Sequence, residues 1–113
     1  MSTAYGGGAD LGELDRWIER GEEVLALFDC ALRSCQEENR SIALRTVLDL
    51  MSRLEHRSRD VGGRVLAHFD TCLSDIERGD FEHAFEGLLD LRESWMEAMA
   101  TLRKDRDRAA SLN

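Results

Sequence analysis

The chain has no proline, so at none of its 113 positions does a ring or a missing N–H forbid an α-helix. Glycine is scarce where it would break one: seven of nine glycines fall in the first 21 residues or in the pair Gly62–Gly63. Cysteine is limited to Cys30, Cys35 and Cys72. An odd number without close spacing argues against a secreted disulfide scaffold. No apolar run approaches the ~18 residues of a membrane span, and the opening MSTAYGGGAD has neither the basic nor the hydrophobic region of a signal peptide. The expected location is the cytoplasm. Positive charge is in deficit, and a formal net charge of -8 repels a phosphate backbone, which argues against a nucleic-acid partner.

What remains is 42% hydrophobic and 34% charged, too apolar for wholesale disorder, so the chain is expected to fold. Its length suits one small domain and leaves no room for a separate catalytic one. Residues 1–10 are small and glycine-rich and read as a flexible tail, 11–104 as the folded domain, and 105–113 as a charged tail.

From Leu11 onward Leu14, Ile18, Gly21, Leu25, Phe28, Leu32 and Cys35 recur at spacings of four and three, predicting an amphipathic helix over about 11–37. Gly21 sits on the apolar stripe, which implies either a close neighbouring helix or a helix start just after it. Ser41 is a plausible N-cap for a second helix carrying Leu44, Val47, Leu48, Met51 and Leu54, with its end near Gly62–Gly63. A third helix turns Val65, Phe69, Cys72, Leu73 and Ile76 inward. Arg78-Gly79-Asp80 then reads as a turn, with Gly79 closing one helix and Asp80 capping the next.

The fourth helix, Phe81 to about Arg103, places Phe81, Ala84, Leu88, Leu91, Trp95, Met99 and Leu102 within a ~120° arc, with Trp95 assigned to the core. Phe85, Leu89 and Met96 widen that arc beyond what one face needs. Short loops between four helices predict an all-α, antiparallel up-and-down four-helix bundle. The apolar residues off the stripes, Leu27, Leu50, Leu66, Phe85, Leu89 and Met96, are the candidate partner-binding surface. The alternative is a wider core or a homodimer interface.

Catalysis and metal binding find little support. Cys30, Cys35, His68 and Cys72 offer soft ligands, but Cys30 and Cys35 are five apart, about 140° around a straight helix, and no CxxC occurs. Asp29 and Asp70 each follow a stripe phenylalanine and read as making ion pairs or local hydrogen bonds to a neighbouring helix; His56 and His83 lie among charges and read as exposed. Neither glycine cluster has the spacing or preceding strand of a phosphate loop. No catalytic residues, no metal site and no cofactor are expected.

Three segments in order resemble the flagellin-specific export chaperones, the FliS family. EEVLALFDCAL (Glu22–Leu32) is similar to the family's first-helix pattern of acids, an aliphatic run, an aromatic with Asp, then a small residue and Leu. GGRVLAHFDTCL (Gly62–Leu73) resembles its GG followed by a helix, and LLDLRESWMEAM (Leu88–Met99) its last-helix segment with LR and a Trp among acids. The spans from Asp29 to Gly62 and from Asp70 to Trp95 are shorter than the family usually has, and Gly6–Asp10 stands in place of its Ser-Pro helix start. The resemblance implies a non-enzymatic cytoplasmic chaperone that binds the C-terminal helical segment of flagellin or a related filament protein. It also implies prevention of premature polymerisation and delivery to the export apparatus, without a cofactor. The alternative is a helical-bundle adaptor or homodimeric interaction protein of another pathway.

Overall fold

The computed structural model describes the backbone of residues 11–55 and 59–112, with side chains placed for 11–54 and 65–112. The expectations for residues 1–10 and for His56 lie outside the described residues. Four helices form: α1 (Leu11–Gln36), α2 (Arg40–Glu55), α3 (Arg59–Arg78) and α4 (Phe81–Ser111). Both α1 and α3 pack against α2 and α4, which closes a four-sided up-and-down bundle. It measures 53 × 24 × 18 Å. Its long axis is set by the 31 residues of α4 at about 1.5 Å each.

The core is filled by residues that recur at three and four along each helix. Val24, Phe28, Ala31 and Leu32 come from α1; Ala43, Val47 and Leu50 from α2; Phe69, Cys72 and Ile76 from α3; Ala84, Leu88 and Leu91 from α4. Phe28 and Phe69 stack at its centre with ring centroids 6.0 Å apart. The hydroxyls buried beside it bond back to their own helices, Ser34 Oγ donating to the Cys30 carbonyl (2.8 Å) and Thr46 Oγ1 to that of Ile42 (2.7 Å). Gly21 is buried in α1 because α4 crosses it: a Cβ there would lie 2.1 Å from Met99 Sδ. Close approach is therefore the reason for this glycine, and the helix runs through it.

Two turns of the same construction close one pole. After α3 the Asp80 N–H donates to the Asp75 carbonyl and the Gly79 N–H to that of Ile76, with Gly79 at φ 83°. This is the glycine-bearing helix stop the sequence predicts, and Asp80 caps α4 by accepting the His83 N–H. After α1 the Asn39 N–H donates to the Ser34 carbonyl and the Glu38 N–H to that of Cys35. Here the left-handed position is held by Glu38 at φ 54°, where an L side chain costs on the order of 1 kcal/mol. The turns are neighbours, since a Cβ on Gly79 would meet Arg40 Nη2 at 3.4 Å.

Several boundaries and faces differ from the expectation. The N-cap of α2 is Asn39, whose side chain accepts the Ile42 N–H (3.2 Å), two residues ahead of Ser41. Gly62 and Gly63 lie inside α3, which starts at Arg59, because glycine only weakens a helix by ~1 kcal/mol per residue and α3 is held by its Phe69, Cys72 and Ile76 face. On α2 the inward face is rotated: Leu48 is 54% exposed, whereas Ala43, Val47 and Leu50 are sealed. Beyond Arg103, α4 continues through KDRDRAA to Ser111, since its Lys, Arg and Ala favour helix and Arg106 pairs with Asp15 of α1 at 2.5 Å.

Candidate functional site

The six candidate partner-binding residues separate into three groups. Leu50 is fully buried and belongs to the core, so it cannot meet a partner: with α2 rotated toward Ala43 and Val47, position 50 falls on the inward face. Leu27 on α1 is partly buried and packs against the core, and Leu66 on α3 is half-buried; neither lines the groove described next. Phe85, Leu89 and Met96 follow one side of α4 along its outer seam with α1, as their spacing requires. The first two pack partly against the core while Met96 is 45% exposed.

At the pole closed by the two turns this seam opens into a groove of about 540 Å³. Its floor is Cys35 with Phe81, Phe85 and Leu89, and its rim carries Glu38, Glu82 and Glu86. Farther along, the same seam is laced shut. Arg92 Nε donates to Asp29 (2.8 Å), Arg103 Nη2 to Glu22 (3.0 Å) and Arg106 Nε to Asp15 (2.5 Å), all from α4 to α1. The Asp29 pair is the interhelical contact expected of that residue. Arg92 also donates to the Met96 thioether at 3.0 Å, which fixes this methionine beside the seam. Trp95 faces inward from α4 but is only partly buried, its indole N–H donating to the Gly21 carbonyl at 2.9 Å. It borders a second hollow of about 300 Å³ shared with Trp17, which is 38% exposed.

Among the described residues no three of the soft ligands converge on one point. Cys30 is exposed, its Sγ 3.6 Å from Thr46 Oγ1, whereas Cys35 and Cys72 are buried. Burial pushes the Cys35 thiol up, and burial with Asp75 and Cys35 nearby carries that of Cys72 up to about 12, so both are unreactive neutral thiols. His68 Nε2 and Cys72 Sγ both crowd Gly87, where a Cβ would meet them at 3.5 and 2.9 Å. Among the described residues Asp75, Asp80 and His83 do cluster, at the α3–α4 turn. Asp75 is 1% exposed, and its two oxygens are engaged by Arg78 and by His83 Nδ1. A guanidinium already holds the charge a cation would take. His83 is exposed as expected, but its ring is tied to Asp75, and that hydrogen bond raises its pKa.

The sequence reading missed Asp75. Its signal was helical phase: position 75 lies between Cys72 and Ile76 on the inward face of α3. Glu38 was missed as well, since a left-handed glutamate leaves no trace in hydrophobic periodicity. Comparison of the chain with protein-family models, with curated proteins and with solved structures finds no match in any of the three.

Proposed function

We propose that this protein is a non-enzymatic cytoplasmic chaperone that receives an amphipathic helical segment of a secreted partner along the α1–α4 seam. The observation that carries the reading is the apolar side of α4 open in the groove, Phe85 and Leu89, continued by Met96, which is exposed beside the Arg92–Asp29 ion pair. A guest helix laying apolar residues at i, i+3, i+4 and i+7 over this stripe covers it and becomes ordered in the process. The three segments that resemble the flagellin export chaperones name the client class, the C-terminal segment of a flagellin or related filament protein, and an export-apparatus component as the receiver.

The test is titration of the protein with a flagellin C-terminal segment, followed by calorimetry and by polymerisation of the client. Micromolar or tighter binding that delays polymerisation is the expected result. Met96→Asp and Leu89→Asp should weaken it at least tenfold with helical circular dichroism unchanged. A protein that ignores flagellin but forms a stable dimer by light scattering, lost in the same variants, would assign the seam to a second copy instead.

A further inference from the structure

The seam is complementary in charge along only part of its length. From Asp29 downward each of three α1 carboxylates has an arginine of α4. In the groove above, Glu38, Glu82 and Glu86 surround the phenylalanine floor, and none of the three forms an ion pair among the described residues. Of the cations near that rim in sequence, Arg78 and His83 are turned to Asp75, and the Arg40 guanidinium reaches toward Gly79 of the sister turn. Glu38 also occupies the left-handed turn position that Gly79 fills in the sister turn. Glycine would relieve its backbone at no cost to the hydrogen bonds of the turn, which use main-chain atoms only. Backbone strain at a binding surface points to a role for the side chain it displays.

We infer that the groove selects a cationic guest: an amphipathic helix whose apolar residues cover Phe81, Phe85 and Leu89 and whose flanking lysines or arginines face Glu38, Glu82 and Glu86. This rests on the seam being the site of guest binding and adds what the guest must carry. The guest's cations take, in the open half, the place that Arg92, Arg103 and Arg106 take in the closed half. Glu38 is then a specificity-determining residue, held in an unfavourable conformation to close the rim from the α1 side.

The experiment uses the full chain and three synthetic helical peptides sharing one apolar pattern, with flanking positions all Lys, all Gln or all Glu. Fluorescence polarisation should show the Lys peptide binding about tenfold tighter than the Glu peptide, the gap closing as salt rises to ~0.5 M. Glu38→Gly should raise the melting temperature yet weaken the Lys peptide by about twofold to fivefold, leaving the Gln peptide unchanged. Glu19→Gln, which removes one negative charge far along α1, should change neither.

Equal affinity for all three peptides would overturn the charge selection while leaving the seam as a binding site, provided Leu89→Asp still abolishes binding. An equal effect of Glu19→Gln and Glu38→Gly would reduce the preference to attraction by net charge and overturn it too. Failure of every peptide, together with the flagellin segment, would remove the seam itself.

Discussion

Asp75 is the residue on which the α3–α4 turn depends. It sits 1% exposed in the last turn of α3, and its carboxylate holds Arg78 of its own helix and His83 of the next. Asp80 and Glu86 add negative potential around the imidazole, so the hydrogen bond to Asp75 and these charges raise its pKa against partial desolvation. A group whose folded pKa is raised stabilises the fold below its unfolded value, ~6.5, and loses that contribution as pH climbs through the folded value. Melting temperature should therefore fall on going from about pH 6 to pH 8, and His83→Gln should flatten that slope. An unchanged slope in the variant would assign the dependence elsewhere. The sequence placed His83 among charges and on the surface correctly. It could not name the partner, because an aspartate beside a serine at the end of a helix looks solvated until its helical phase is fixed.

Among the helices, α1 and α4 share the most extensive contact. Gly21 lets Met99 lie against the α1 backbone and leaves its own carbonyl for Trp95. Gly21→Leu should cost about 1–3 kcal/mol in urea unfolding, as overpacked sites do, and should separate the indole from its carbonyl, seen as a shift in tryptophan emission. Gly21→Ala is milder, since a methyl's gain in helix propensity is set against displacing a flexible thioether. The stripes of α1, α3 and α4 were readable because large apolar residues mark one side of each. On α2 they nearly encircle the helix, from Ile42 and Leu44 through Leu48 to Met51 and Leu54. The face that packs is chosen by the small Ala43, which fits closely and gives no hydrophobic signal. Leu48 and Leu50 exchanged places in the expectation for that reason: one is on the surface and the other is sealed.

For the whole molecule, local helical contacts and short turns make a low-contact-order topology, and such chains fold in microseconds to milliseconds. Without proline in the sequence, refolding followed by tryptophan fluorescence should lack a phase of tens of seconds. A slow phase that prolyl isomerase leaves untouched would instead report an intermediate or an association step. The bundle and its helix count were legible in the periodicity and the missing breakers. The groove was legible only in part. Phe85 and Leu89 stood out by phase, but the acidic rim depends on how the α1–α2 and α3–α4 turns meet, which spacing within one helix does not encode.

The lacing of α4 onto α1 has a practical corollary. Asp15 and Arg106 are in contact, so the start of α1 and the finish of α4 stand side by side at the pole remote from Glu38 and Phe85. A dye or a surface anchor attached to the first turn of α1 or the last turn of α4 would sit at the far pole from the groove proposed to receive a guest, which leaves that groove open for binding measurements.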